Sequence, residues 1–116
     1  MMSGTQFRQG DVLLVPVPFT DLKDAKQRPA LVISNTVRNT RVEDIVICGI
    51  TSNIKDETYS VMLEQKDLAE GTLQFLSRIK ADKLFTIRKT IVIRKLGRVN
   101  TTILERVKDE VRKVIA

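Results

Sequence analysis

The chain has 116 residues, of which 42% are apolar, 4% are aromatic and 29% are charged. It contains no histidine and one cysteine, which excludes histidine-based acid–base chemistry, an intramolecular disulfide and a thiolate zinc site. The formal net charge of +6 favours an anionic partner, either nucleic acid or an acidic protein segment.

These proportions predict one domain, residues 1–116, with a core built from Val, Ile and Leu. No apolar run approaches the roughly 20 residues that are needed to span a bilayer. Residues 1–10 hold no apolar segment of the kind found in a secretion signal. We therefore expect a cytoplasmic protein that has no membrane partner.

Two apolar runs near the start of the chain predict the first two strands. The first covers residues 12–15, between Gly10 and Pro16. Proline cannot donate to a strand ladder, so Pro16 and Pro18 should fray the end of this strand into a loop. The second run, residues 30–34, predicts a fully buried strand.

Arg28 lies just before the second run and is followed by Pro29. A proline biases the residue before it towards extended backbone, so the arginine should be held at the mouth of the strand. A fixed guanidinium suits the binding of a phosphate or a carboxylate. An arginine that merely solvates a turn is the alternative interpretation.

The middle of the chain predicts two more strands. Residues 35–44 are polar and without a clear period, which indicates a loop with at most a helical turn. Residues 45–50 predict the third strand, in which Cys48 should be a buried structural thiol. Residues 58–63 alternate and predict the fourth strand, and residues 65–71 predict a turn or short loop.

Residues 73–79 predict a fifth strand, residues 83–87 an extended segment or loop, and residues 90–96 a last strand. A C-terminal helix follows, capped by either Thr102, in a capping box, or Asn100. The apolar stripe of this helix, which should pack on the sheet, consists of Ile103, Leu104, Val107, Val111, Val114 and Ile115. The predicted fold class is mainly β with a C-terminal helix, as a small barrel or strongly bent sheet.

The whole pattern resembles the MazF/PemK family of toxins from bacterial toxin–antitoxin pairs, over nearly the full length of the chain. The blocks that carry the resemblance are Gly10-Asp11-Val12, residues 26–34 (KQRPALVIS), Ile50-Thr51-Ser52, Ser77-Arg78-Ile79, residues 84–87 (LFTI) and residues 96–99 (LGRV). The resemblance implies an SH3-like barrel, shared with the toxin CcdB, and a homodimer.

The activity that the resemblance implies is sequence-selective cleavage of single-stranded RNA by attack of the 2′-hydroxyl on the adjacent phosphorus. No metal or other cofactor is implied, and a cognate acidic antitoxin is the expected protein partner. By resemblance, Arg28 and Thr51 form the catalytic pair. A threonine that forms a turn after a strand is the alternative for Thr51.

Further residues near the catalytic pair are expected to contact the RNA. Phe19 could stack on a base or belong to the core. The other expected contacts are Thr20, Lys26, Ser52, Asn53, Ser77 and Arg78. Ser77 and Arg78 differ in type from the family's residues, which puts the base preference in doubt.

Other charged residues are expected to supply a general base or a positive field. A general base is expected in the loop before the arginine, where Asp21 and Asp24 are candidates and where either could be a solvated carboxylate. Four cations add positive field, most simply as solvated faces: Lys80, Arg88, Lys89 and Arg94.

Two other functions are compatible with the same pattern, because a fold does not fix a function. One is a CcdB-like toxin that binds gyrase and leaves RNA intact. The other is an SH3-like module that binds RNA without cleaving it. The motif around Arg28 and Thr51 disfavours the gyrase-binding toxin.

Overall fold

A computed structural model describes residues 6–17 and 26–116, which form one curved antiparallel sheet with two α-helices. The helices are α1 (Thr36–Arg41) and α2 (Thr101–Ile115). No helix in these ranges is long and apolar enough to cross a membrane. The strands are β1 (Asp11–Val17), β2 (Lys26–Val32), β3 (Asp44–Thr51), β4 (Ser60–Leu63), β5 (Leu68–Gly71), β6 (Ser77–Arg88) and β7 (Arg94–Val99).

The strands lie in the order β4-β6-β3-β2-β1-β7-β5. The prediction of a mainly β fold with a C-terminal helix is confirmed. Strand β6 is the longest and pairs with β3 on one side and with β4 on the other. The pairing of β2 with β3 is short and ends at Ala30 and Gly49, so the outer ends of these two strands are free to separate.

The sheet packs a separate apolar cluster on each face, because successive strand side chains point to opposite faces. Leu31 belongs to the cluster covered by α2, which buries Ile103 and Val107 against it. Its neighbour Val32 belongs to the other cluster, together with Ile47. The predicted apolar stripe of the C-terminal helix therefore packs on the sheet up to Val111, whereas Ile115, at the end of the helix, is exposed.

Strand β1 does not fray at Pro16. Pro16 pairs with Gln27, and Val17 pairs with Lys26. On its other side, β1 pairs with β7 only as far as Leu14, so the missing proline N–H lies where that neighbouring ladder has already ended. The second strand likewise differs from its prediction, because it begins at Lys26 and ends at Val32.

The predicted strand at residues 73–79 is wrong for its first half. Leu63, the last residue of β4, pairs with Ser77, and β6 starts there. Before that point, the Leu73 N–H donates a hydrogen bond to the side-chain oxygen of Gln65, at 2.6 Å. The predicted loop at residues 65–71 contains a 3₁₀ turn, Gln65–Asp67, and β5.

The helices show which caps the chain uses. Asn100 caps α2, because its Oδ1 accepts from the Ile103 N–H at 2.9 Å, so the capping box at Thr102 is not formed. The segment predicted as a loop at residues 35–44 contains α1. The last strand begins later than expected, at Arg94, because a 3₁₀ turn covers Lys89–Ile91.

Candidate functional site

Arg28 and Thr51 come together where the β2–β3 ladder ends. Ala30 and Gly49 form the last pair of this ladder, and Arg28 and Thr51 each lie two residues beyond it. Both residues line one cleft.

The two residues are positioned by their strands. Arg28 is the third residue of β2 and pairs with Val15, so it lies within the strand and not at its mouth. Its extended backbone, predicted from Pro29, is confirmed, and the residue is exposed. Thr51 closes β3, and its Oγ1 accepts from the Asn53 N–H at 3.1 Å. The Thr51 hydroxyl proton is therefore still available for donation to a ligand.

The first cleft has a volume of about 550 Å³ and lies on the face that carries Val15, Ala30 and Ile47. The charged residues at its rim are far apart in the sequence, which gave no sign that they form one group. The polar and charged residues that line it are Arg28, Thr51, Asn53, Lys55, Glu57, Lys80 and Lys83.

A shift in the β3–β6 register brings two of these lysines to the cleft. Cys48 pairs with Leu84, whereas the next residue, Gly49, pairs with Lys80. Residues 81–83 lie between these two pairs, which makes a bulge in β6. A Cβ on Gly49 would lie 3.7 Å from the Lys83 Cβ, so Lys80 and Lys83 both flank this glycine.

Lys80 is not the solvated cation that the sequence indicated. Its side chain is only 13% exposed, and its Nζ donates to Glu57. The hydrogen bond and the charge of Lys80 lower the pKa of Glu57, with smaller contributions from Lys55 and Lys83. The alternation of Arg78 and Lys80 with buried Ile79 and Ala81 was the signal that could have placed Lys80 on this face.

A second cleft, of about 660 Å³, lies on the opposite face and shares Arg28 and Pro29 with the first. It contains two further predicted site residues, Ser52 and Ser77. Ser77 is buried and donates to the Phe75 carbonyl at 2.7 Å, whereas the Phe75 side chain is 65% exposed at the rim. Arg28 therefore lies where two clefts meet at one end of the sheet.

Two predicted RNA contacts do not join either cleft. Lys26 is exposed at the start of β2. Arg78 pairs with Thr51 along the backbone, but its side chain is used elsewhere. It donates to the Ile54 carbonyl at 3.2 Å and to the Ser60 Oγ at 3.0 Å, and it pairs with Asp56 at 3.3 Å. Its role is to hold the segment that leads into β4.

Four residues of the predicted site lie outside the described residues: Phe19, Thr20, Asp21 and Asp24. The predicted role of each stays a prediction.

The chain is similar to known proteins over most of its length. Residues 8–115 match a family model described as PemK-like, MazF-like toxin of type II toxin–antitoxin systems. No curated protein matched the chain in a sequence comparison.

Solved structures share the fold over nearly the whole chain. An endoribonuclease from a mycobacterial species, in complex with its cognate antitoxin, is 18% identical, with 93% of each chain covered and a TM-score of 0.77. A MazE–MazF complex from Deinococcus radiodurans is 19% identical, covers 96% of this chain and 97% of that one, and has a TM-score of 0.78. The Mycobacterium tuberculosis toxin MazF-mt6 is 15% identical, with 90% and 95% covered and a TM-score of 0.74. At these identities the likeness confirms the predicted fold class.

Proposed function

Since the chain belongs to the PemK-like, MazF-like toxins of type II toxin–antitoxin systems, we propose that it is an endoribonuclease that cleaves single-stranded RNA without a metal ion. One of the structural relatives, the mycobacterial protein, is itself described as an endoribonuclease. The observation that carries the proposal is that Arg28 and Thr51, from two different strands, line the same cleft.

In the proposed reaction, the 2′-oxygen of a ribose attacks the adjacent phosphorus and the bond to the 5′-oxygen breaks. The products are a 2′,3′-cyclic phosphate and a 5′-hydroxyl. Arg28 binds the phosphoryl oxygens, on which negative charge accumulates in the transition state, and the Thr51 hydroxyl donates to the same group. The 2′-hydroxyl proton leaves to a base, for which Asp21 and Asp24 are the candidates, and either Arg28, as the general acid, or a water molecule delivers a proton to the 5′-oxygen.

The residues around this pair are proposed to hold the RNA strand. Asn53 lies beside Thr51 in the first cleft, and Ser52 and Ser77 line the second. The two clefts meet at Arg28, so nucleotides on either side of the cleaved linkage would enter different clefts. Phe19, Thr20 and Lys26 are proposed as further contacts, whereas Arg78 supports the site indirectly.

The proposed partners follow from charge and from the relatives. Two of those relatives are complexes with an antitoxin or MazE. We propose that this chain, whose net charge is +6, is restrained by an acidic antitoxin. We also propose that it acts as a homodimer in the cytoplasm, where messenger RNA is its substrate.

Cleavage of a long single-stranded RNA in EDTA tests the catalytic assignment. We expect Arg28→Ala to lower the cleavage rate by about 10²–10³ and Thr51→Ala to lower it less. Arg88→Ala is the matched control, because Arg88 is exposed, lines neither cleft and pairs only weakly with Glu43 at 3.7 Å. Primer extension would map the cut sites, and 2′-deoxy substitution at a cut site should abolish cleavage there.

Two results would reject the assignment. Intact RNA after incubation with the wild-type protein rejects the nuclease, and in that case inhibited gyrase supercoiling would identify a CcdB-like toxin. Equal cleavage by wild type and Arg28→Ala rejects the role of the arginine.

A further inference from the structure

Lys80 is the most enclosed cation described in the first cleft, and the enclosure follows from its position in the sheet. It lies in β6 between two partners, Gly49 of β3 and Ser60 of β4. Its side chain is 13% exposed. The neighbouring strands therefore fix the stem of this side chain, and its ammonium group is held in a position where an anionic acceptor can bind it. Glu57 supplies that acceptor.

Glu57 reaches Lys80 from a turn with a fixed backbone. The Glu57 carbonyl accepts from the Ser60 Oγ at 2.6 Å, and the Tyr59 carbonyl accepts from the Ala81 N–H at 2.9 Å. Tyr59 has a φ of 59°, in the left-handed region that non-glycine residues rarely adopt. The Glu57 side chain, by contrast, is 47% exposed. Its carboxylate can therefore turn into solvent while the backbone stays in place.

The charge around this pair favours a second anion. Arg28, Lys55 and Lys83 line the same cleft, and Glu57 is the one carboxylate among its lining residues in the described ranges. The pKa of Glu57 is lowered, first by the hydrogen bond from Lys80, so the carboxylate stays ionised at neutral pH. A phosphate of an RNA strand presents the same kind of acceptor oxygen as a carboxylate and would compete for the same ammonium group.

We propose that Glu57 is an internal competitor for the RNA backbone: its carboxylate occupies Lys80 in the free protein, and a phosphate next to the cleaved linkage displaces it when RNA binds. The inference rests on the proposed function for its ligand. It assigns Lys80 as a backbone-binding residue and Glu57 as a residue that weakens binding. The exchange replaces one ion pair by another, so the net gain from Lys80 is smaller than that from a free lysine.

Binding to a 2′-O-methyl RNA tests the exchange without cleavage, because this RNA lacks the attacking hydroxyl. Glu57→Gln removes the competing charge, and Glu43→Gln is the matched control. Glu43 is exposed, pairs with Arg88 and lines neither cleft, yet its substitution changes the net charge by the same amount. We expect Glu57→Gln to tighten binding about three- to tenfold, and Glu43→Gln to change it less than twofold.

Salt dependence and a double-mutant cycle sharpen the test. In Glu57→Gln, the slope of log affinity against log salt should steepen by up to about 0.7, the value for one further phosphate contact on a single strand. The gain from Glu57→Gln should vanish in a Lys80→Met background, since it acts through Lys80. With cleavable RNA, the same gain should appear as a lower KM. Thermal unfolding of each variant would confirm that it is folded.

Equal affinities for Glu57→Gln and Glu43→Gln would overturn the inference. So would weaker binding by Glu57→Gln, which would make Glu57 a direct RNA contact, or a gain that persists without Lys80. A wild-type protein that cleaves RNA while Glu57→Gln has no effect rejects this inference alone. A wild-type protein that neither cleaves nor binds RNA rejects the inference together with the proposed function.

Discussion

Cys48 shows how completely water is excluded from β3 only three residues before Thr51. Its side chain is fully buried among apolar neighbours. Burial raises the pKa of the thiol from its ordinary value of 9.0 to about 12. Because the thiolate is the reactive form of cysteine, this thiol should be inert in the folded protein. The structure supports the sequence interpretation of Cys48 as a structural residue.

The inertness of Cys48 can be measured by thiol labelling at pH 8. We expect iodoacetamide to leave the native protein unlabelled and to label it fully in denaturant. Because the pKa of the Cys48 thiol is higher in the folded protein, the folded state keeps the thiol proton at pH values at which the unfolded state loses it. Stability relative to Cys48→Ala should therefore fall between pH 9.0 and about pH 12, with a slope that approaches about 1.4 kcal/mol per pH unit. Native labelling at the rate of the unfolded chain would contradict the burial.

At the scale of single residues, the sequence could predict what is encoded locally. Arg28 followed by Pro29 and a strand that ends in Thr51 are short patterns, and both lie in the first cleft. The contact of Glu57 with Lys80 could not be predicted, because it joins residues 23 positions apart. It also depends on the left-handed backbone of Tyr59, for which the residue type gives no signal.

At the scale of elements, β6 shows why a periodic pattern can fail. The sequence predicted separate segments at residues 73–79 and 83–87, whereas the structure has one strand, Ser77–Arg88. The alternation of apolar and polar residues breaks at residues 81–83, where the bulge lies. In the sequence, such a break predicts the end of a strand. In the structure, the pairing of β3 with β6 continues beyond the break with a shifted register.

Helix α2 offers a clean comparison between two possible caps. Asn100 makes the capping hydrogen bond to Ile103, whereas Thr102 is exposed inside the first turn. We expect Asn100→Ala to lower the free energy of unfolding by about 1 kcal/mol, because a helix N–H loses its acceptor. Thr102→Ala is the matched control and should change it by less than about 0.5 kcal/mol. Urea unfolding of both variants would decide between the caps, and the reverse order of effects would identify Thr102.

At the scale of the whole molecule, β5 forms one edge of the curved sheet and pairs with β7 through a close approach of two glycines. Gly71 pairs with Gly97, and a Cβ on Gly71 would lie 2.3 Å from the Leu96 carbonyl oxygen. Gly71 also has a φ of 89°, which L-residues with a side chain rarely adopt. Both glycines line the second cleft, so the shape of that cleft depends on their contact.

Alanine at Gly71 should therefore be strongly destabilising. We expect a loss of at least about 2 kcal/mol, from backbone strain together with the clash. Gly49→Ala is the control for stability, because its Cβ would meet its nearest neighbour at an ordinary 3.7 Å. The free energy of unfolding of this control should stay within about 1 kcal/mol of the wild type. Similar urea midpoints for the two variants would mean that the β5–β7 contact is looser than described.

The bulge of β6 also bears on how this chain could change in length during evolution. Cys48 and Gly49 are neighbours, yet their partners Leu84 and Lys80 are four positions apart. Deleting all three intervening residues would make the ladder continuous while both flanking registers kept their inward and outward faces. Such a deletion would remove Lys83 from the cleft and, with it, the fully buried Ala81 from the core, so a change of length here alters the charge of the cleft and the packing beneath it together.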